Sequence, residues 1–268
     1  MKTRHTQWVT SQGTLVKPPI SKTPFVIALL IIITVISMIM TEFNLLFLMR
    51  NFNRLTDIFS RFLNPDFSVL SLTIRPLIQT ISMAIFGTVI GTLFAFPIAF
   101  IAANNLNKRK YIVIGIRFIV SVFRTLPILI YAFLFTLIYG FTPLSGAIAI
   151  SIITFVRLMK FFYEKIESVN LDVFHGIEAI GLSRTRSIKY ALLPQLKNDF
   201  LAKVFYQMDT NLRSSTILGY VGAGGIGSLL NTTMQTRQYE RVIVVLLVIF
   251  MTLTAFEMIS KALRRRYL

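Results

Sequence analysis

Cysteine is absent from the 268-residue chain, histidine occurs only twice, and 15% of the residues are charged. Without cysteine the chain forms neither disulfide bonds nor thiolate metal sites, and it has no cysteine nucleophile. His5 and His175 both fall in polar segments, where an exposed histidine is expected rather than a metal ligand. The sequence therefore predicts no metal site.

The common motifs of catalysis are missing as well. The sequence contains no G-x-x-x-x-G-K-[ST] loop, so the chain cannot bind ATP in the manner of a P-loop ATPase. It has neither an H-E-x-x-H motif nor a Ser/His/Asp set. We therefore predict that the chain is not an enzyme and has no cofactor of its own.

Apolar residues are abundant instead. They make up 54% of the chain, with a mean hydropathy of +0.69 and 24 Phe. Several apolar runs approach 20 residues, the length that crosses about 30 Å of hydrocarbon, whereas the alternating segments of a β-barrel are not sustained. The fold class predicted is all-α integral membrane. The net charge of +17 then indicates lysines and arginines that hold loops in the cytoplasm, and no nucleic acid partner is expected.

Six membrane spans are predicted, with the lipid bilayer as their surroundings. They cover residues 24–48, 77–103, 112–139, 144–162, 200–220 and 242–262. No small-residue cleavage site follows the first run, which is also long for a signal peptide, so we expect a retained span. Residues 1–76 would hold the N-terminus, this span and an outer interfacial segment at 49–76, and residues 77–268 a core of five spans.

The distribution of Lys and Arg predicts the orientation. With the N-terminus inside, 18 of these residues lie on the inner side and six on the outer side, while four fall within spans. Because cytoplasmic loops carry the excess of positive charge, both termini and the long loop at about 163–200 are expected in the cytoplasm.

This long loop is polar, cationic and too long for a simple connection. Two short helices are predicted in it, Val173 to Leu182 and Arg184 to Leu193, with Gly181 near the turn and Pro194 stopping the second. Two helices at an angle can seat in a groove of a partner protein.

Glycines follow the fifth predicted span. Gly222, Gly224 and Gly227 satisfy G-x-G-x-x-G, but a dinucleotide fingerprint requires a strand within a βαβ unit, and a membrane span precedes the motif here. The glycines predict instead a helix that is broken or kinked where it leaves the bilayer, and that lines a cavity or packs closely on its neighbours.

Charges inside predicted spans require an explanation because they are costly in lipid. Asp209 and Arg213 are four residues apart, so they share a helix face and can pair. Either the pair is structural, or Arg213 acts with Arg124 to give a route for an anion a positive potential. Arg117 and Arg157 lie toward the inner ends of their spans and are interpreted as snorkelling anchors.

The long loop resembles the cytoplasmic coupling loop of type I ABC importer permeases. That loop has Glu-Ala-Ala, three residues, Gly, nine residues and Ile-x-Leu-Pro. Here Gly181, Leu193 and Pro194 match, Ala191 replaces the Ile, and Glu178-Ala179 lies three residues late. The resemblance implies a helix-turn-helix that couples to an ATPase through six residues: Gly181, Leu182, Ser183, Arg184, Leu193 and Pro194.

The run from Asn211 to Gly227 resembles the phosphonate-type permeases in particular. Arg124 followed by Pro127 also resembles the family, in which the proline bends a pore-lining helix. The resemblance implies that a translocation pathway runs past nine residues: Arg124, Pro127, Asp209, Asn211, Arg213, Gly222, Gly224, Gly225 and Gly227.

As implied by this resemblance, the chain is the permease subunit of a binding-protein-dependent importer in a bacterial cytoplasmic membrane, carrying phosphonate, phosphite or a related oxyanion. Its partners would be a dimer of ABC ATPase subunits that use ATP and Mg²⁺, an extracellular or periplasmic substrate-binding protein, and a second permease copy, simplest as a homodimer. Two alternatives stay open: the same machine with methionine or a quaternary amine as cargo, and a secondary transporter that needs no ATPase.

Overall fold

The computed structural model describes Trp8–Val9, Leu15–Val16 and residues 22–267. Most of the N-terminal segment that was predicted to be cytoplasmic lies outside the described residues. β1 (Trp8–Val9) and β2 (Leu15–Val16) form a short antiparallel pair. The chain divides into two compact units, residues 1–57 and 58–268.

The first unit contains the first predicted span. α1 (Thr23–Met40) is apolar on all sides, and none of its residues is buried within the unit, as suits a helix whose surroundings are lipid. Glu42 then adopts a left-handed backbone with φ +50°, and the Asn44 side chain accepts a hydrogen bond from the Phe47 amide (3.0 Å) at the start of α2 (Leu45–Arg50). The predicted span 24–48 is therefore wrong at its end, because the chain turns between the two helices.

The predicted outer segment begins with a helix. In α3 (Phe52–Phe62), Phe52, Leu55 and Phe59 are exposed at positions i, i+3 and i+7, which places them on one face. That the helix lies at the membrane interface stays a prediction.

All secondary-structure elements among the described residues of the second unit are helices or helical turns. Its elements in chain order are a 3₁₀ turn (Phe67–Val69), α4 (Leu70–Ala102), α5 (Lys110–Thr125), α6 (Ile128–Tyr139), α7 (Pro143–Ser168), α8 (Asp172–Ala179), α9 (Arg184–Ser187), a π-helical turn (Ile188–Leu192), α10 (Leu193–Leu218), a 3₁₀ turn (Gly219–Val221), α11 (Ile226–Gln235) and α12 (Tyr239–Tyr267).

Two glycines bring α4 against α7, the most extensively packed helix pair. A Cβ atom on Gly87 would lie 2.3 Å from the Ile150 Cγ2 atom, and one on Gly91 would lie 2.6 Å from the Thr154 Cβ atom. Gly87 and Gly91 therefore form a small-xxx-small contact of the kind that lets membrane helices approach closely. α7 also contacts α5, α6 and α10.

The predicted span 112–139 is not one helix. α5 and α6 meet at an angle of 87°, with Leu126 and Pro127 extended between them (ψ 130° and 148°). A residue before proline is pushed out of the α region and the proline nitrogen cannot donate a hydrogen bond, so α5 ends here. The bend expected at Pro127 is confirmed, but it breaks the helix rather than curving it.

Four described helical segments are long and apolar enough to cross a membrane: Thr23–Met40, Phe67–Ala102, Pro143–Ser168 and Tyr239–Leu263. The bent pair of α5 and α6 is a candidate fifth. α10 has 26 residues, enough to span at 1.5 Å per residue, but it carries polar and charged side chains along its length.

Candidate functional site

An ion-pair network links α10 to α12. The Arg213 Nη2 atom lies 3.0 Å from the Asp209 Oδ2 atom and 3.0 Å from the Glu257 Oε2 atom, and the Lys261 Nζ atom lies 2.6 Å from the Glu257 Oε1 atom. The predicted pairing of Asp209 with Arg213 is present. Glu257 was missed, because a partner 44 residues away leaves no signal in helical spacing.

The two carboxylates on Arg213 differ in their surroundings. The Asp209 side chain is 8% exposed, whereas those of Arg213 and Glu257 are 52% and 36% exposed. The second carboxylate oxygen of Asp209, Oδ1, is buried and has no hydrogen-bond partner among the described residues. Asp209 therefore depends on Arg213 for its charge balance, while Arg213 has a second carboxylate.

Asn211 is fully buried and holds three helices together. Its amide nitrogen donates to the hydroxyls of Thr88 on α4 (2.8 Å) and Thr154 on α7 (2.7 Å), and its amide oxygen accepts from Gln207 (2.8 Å). The Asn211 side chain thus has partners inside the protein. Within the described residues Asn211 is a core hydrogen-bonding residue, and its place on a translocation pathway stays a prediction.

The glycine run forms a tight turn between α10 and α11. Gly222 (φ +84°), Gly224 and Gly225 (both φ +75°) have left-handed backbones. A Cβ atom on Gly227 would lie 1.8 Å from the Thr216 carbonyl oxygen, so the start of α11 contacts the end of α10 backbone to backbone. The sequence left open whether this segment lines a cavity or packs closely on its neighbours, and the structure shows close packing.

α4 caps this turn. The Thr80 hydroxyl accepts a hydrogen bond from the Ile226 amide (2.8 Å), and the Gln79 side chain accepts one from the Gly225 amide (3.2 Å). These bonds satisfy amides at the start of α11 that have no partner within the helix. Gly225 and Gly227 are themselves buried, so the glycines position backbone here and present no side chain to a ligand.

The predicted coupling loop is anchored at both ends and open in the middle. Phe174 of α8 is buried, as are Ala191 and Leu192 in the π-helical turn and Leu196 at the start of α10. Between them Gly181 has φ +90° and no atom within 4 Å of a Cβ position, and Ser183 and Arg184 are exposed while Leu182 is partly buried. The part that a partner could touch is therefore the turn itself.

The sequence predicts that Pro194 stops the second short helix, and this prediction is wrong. The chain passes from α9 through the π-helical turn and continues as α10, with Pro194 in its first turn. A proline has no N–H to donate and is tolerated at the start of a helix. The wider π turn before it keeps the loop and α10 continuous.

Arg117 is not a snorkelling anchor. Its guanidinium donates to the Ala102 carbonyl oxygen at the end of α4 (2.8 Å), pairs with Glu167 on α7 and lies 4.2 Å from the centre of the Tyr163 ring. Glu167 also accepts a hydrogen bond from the Asn104 amide (2.6 Å). Arg117 therefore ties the ends of α4 and α7 to α5.

A cavity of about 390 Å³ lies among α5, α7 and α10. Arg124 contributes to its wall, whereas Arg213 pairs with Asp209 and Glu257; that either arginine lies on a translocation pathway stays a prediction. The structure therefore does not bring the two predicted arginines together. The residues that join Arg124 in the wall are Arg157, Lys160, Phe161, Glu164, Lys203, Tyr206, Gln207 and Thr210.

Comparison with known proteins places the chain in a family. Residues 95–268 match the family described as the binding-protein-dependent transport system inner membrane component. The chain is 35% identical over 200 residues to the putative phosphite transport system permease protein HtxC of Stutzerimonas stutzeri, covering 75% of this chain and 71% of the relative. It is likewise 35% identical over 203 residues to the phosphite transport system permease protein PtxC of the same organism, covering 76% and 74%.

A solved structure of the MetNI methionine ABC transporter has the same fold, with a TM-score of 0.66 at 15% identity, covering 76% of this chain and 99% of the other. The family assignment excludes the secondary-transporter alternative and explains why the chain carries no ATP-binding motif. The chain belongs to the inner membrane components of binding-protein-dependent transport systems, as a multi-pass ABC importer permease subunit that works with a separate ATPase and a binding protein.

Proposed function

We propose that this permease carries phosphite or a related phosphorus oxyanion, delivered by an extracellular or periplasmic binding protein. The observation that carries the proposal is the 35% identity to two permeases named for phosphite transport. The choline transport permease OpuBB of Bacillus subtilis is 21% identical over 165 residues, and the methionine transporter is 15% identical. Sequence similarity thus favours the phosphorus oxyanion over the alternative cargoes, methionine and quaternary amines.

The proposed topology has six spans and both termini in the cytoplasm. α1, α4, the bent pair α5–α6, α7, α10 and α12 are the spans, and the distribution of 18 and six Lys and Arg residues supports the orientation. α10 would be the polar span, stabilised by Asn211 and by the ion pairs of Arg213 rather than by lipid. Residues 1–76 then hold the cytoplasmic N-terminus, the first span and the outer interfacial segment, and residues 77–268 form the permease core.

The proposed mechanism runs through the loop at about 163–200. ATP and Mg²⁺ bind the partner ATPase dimer, and closure of that dimer moves two such loops, one on each copy of a homodimeric permease. Gly181 to Arg184 form the exposed turn of the loop, and Leu193 and Pro194 begin α10. Motion of the turn would therefore pass directly into α10, whose residues line the cationic cavity.

Uptake by the complete importer tests the cargo. The permease, its ATPase and its binding protein are produced in cells that lack other phosphite uptake, and accumulation of phosphite is compared with that of methionine and choline. The proposal expects saturable, ATP-dependent uptake of phosphite that neither competitor reduces. Uptake of methionine or choline without phosphite uptake would contradict it.

A further inference from the structure

The cavity among α5, α7 and α10 has an excess of positive charge. Four cationic side chains contribute to its wall, Arg124 from α5, Arg157 and Lys160 from α7, and Lys203 from α10, against one carboxylate, Glu164. Glu164 is already paired, since its Oε1 atom lies 3.4 Å from the Lys160 Nζ atom. Across residues 22–267, no salt bridge involves Arg124, Arg157 or Lys203.

Three cations without a carboxylate partner in one wall give the cavity a positive potential that attracts an anion. Arg157 is partly buried, and both arginines lie in helices that the proposed topology places in the membrane. Charged groups within spans pair with one another or face a pathway or aqueous cavity. Elsewhere in this chain the rule holds by pairing, because Arg117 is matched by Glu167 and Arg213 by two carboxylates. Arg124, Arg157 and Lys203 have no such carboxylate and face a cavity instead, which is the second arrangement and the one that marks a route or site for an ion.

Aromatic rings position the third cation. The Lys203 ammonium lies 5.0 Å from the centre of the Phe161 ring and 4.8 Å from that of the Tyr206 ring, within the range of cation–π attraction. The rings hold the ammonium without neutralising it, so its charge stays available to a ligand. The two guanidiniums add planar sets of N–H donors, which suit the oxygens of a phosphorus oxyanion.

We propose that this cavity is a phosphorus-oxyanion site of the permease itself, in which Arg124 and Arg157 donate hydrogen bonds to the anion and Lys203 supplies a further charge. The identification of the soluble ligand as cargo rests on the proposed function. With about 30 Å³ for each water molecule, the cavity has room for a small tetrahedral anion together with an organic substituent or several waters.

Two sources could supply the same chemistry, the soluble anion and the phosphate of an anionic lipid headgroup. Binding to the purified permease–ATPase complex separates them. The complex is placed in nanodiscs of phosphatidylcholine in phosphate-free buffer, and phosphite binding is measured by equilibrium dialysis. A second set of nanodiscs contains phosphatidylglycerol, and the lipid retained by the complex is measured by mass spectrometry.

The variants are Arg124→Gln and Arg157→Gln, with Arg157→Lys as the charge-conserving form. Arg109→Gln is the control, because it removes one positive charge from an exposed position that is not in the cavity wall. Each glutamine variant is expected to weaken binding at least tenfold, about 1.4 kcal/mol, whereas Arg157→Lys keeps part of the affinity and Arg109→Gln all of it. If the lipid is the natural occupant, phosphatidylglycerol competes with phosphite and its retention falls in the same two variants.

Unchanged phosphite binding and unchanged lipid retention in Arg124→Gln would overturn the proposal. This variant replaces an exposed side chain at the end of α5 and is expected to fold even if Arg157→Gln does not, which size-exclusion chromatography shows. If the variants lose phosphite binding but the original importer takes up no phosphite, only the proposed function is contradicted. If the original importer takes up phosphite but the variants bind it as tightly as the original complex, only this site is contradicted.

Discussion

The ion pairs of α10 predict that Asp209 and Arg213 tolerate substitution unequally. Arg213→Gln leaves the 92%-buried carboxylate of Asp209 without its cation, whereas Asp209→Asn leaves Arg213 with Glu257 at 3.0 Å. Removing one partner of a fully buried ion pair costs about 3–5 kcal/mol. Because this pair is only partly buried, with the Arg213 side chain 52% exposed, we expect about 2 kcal/mol for Arg213→Gln and less than about 1 kcal/mol for Asp209→Asn.

A double-mutant cycle measures this asymmetry. The free energy of unfolding is followed by far-UV circular dichroism while sodium dodecyl sulfate is titrated into mixed micelles. Adding Asp209→Asn to Arg213→Gln should recover at least about 1 kcal/mol, since the uncompensated carboxylate is then gone. In a Glu257→Gln background Asp209→Asn should become more costly, because Arg213 then loses both carboxylates. Equal losses for the two single variants, or strict additivity in the double variant, would refute the reasoning.

Two further predictions concern the glycine turn and Asp66. Gly227→Ala should destabilise the protein by about 1–3 kcal/mol or prevent folding, because the Thr216 carbonyl oxygen lies 1.8 Å from the Cβ position. Gly115→Ala is the matched control, since nothing lies within 4 Å of its Cβ position. In the same unfolding titration the control should be neutral or slightly stabilising. Hydrogen bonds that Ser68 and Arg241 donate lower the pKa of Asp66 from 3.8 to about 2. The stability that the ionised Asp66 contributes is therefore complete above about pH 4 and is lost as the pH falls toward 2. Unfolding titrations of Asp66→Asn against the original chain should differ above pH 4 and converge near pH 2; a constant difference would contradict the assignment.

The helical membrane class and the pairing of Asp209 with Arg213 could be predicted from the sequence. Apolar runs of membrane length and a spacing of four residues are local signals, and both depend on helix geometry alone. Pro127 likewise marked the bend, because proline removes a backbone donor wherever it occurs. The angle of 87° could not be predicted, since tertiary packing determines how the two segments diverge.

The contacts of individual polar side chains could not be predicted from the sequence. The sequence around Asn211 does not indicate that its amide donates hydrogen bonds to Thr88 and Thr154 on two other helices. The position of Arg157 near the inner end of its span predicts an anchor, and it does not indicate that Arg157 contributes to a cavity wall with Arg124. Such placements depend on contacts between residues tens of positions apart, which no single stretch of sequence records.

The most direct test of the account is which proteins remain bound to the purified permease. Tagged chain is extracted in mild detergent at native expression, and the proteins that co-purify are identified by mass spectrometry for the original chain, Gly181→Asp and Gly176→Asp. Both glycines have open space at the Cβ position, but only Gly181 has a left-handed backbone, at φ +90° in the exposed turn. The account predicts an ABC ATPase with the original chain and with Gly176→Asp, and its loss with Gly181→Asp. An ATPase that stays bound to Gly181→Asp, or none bound to the original chain, would contradict it.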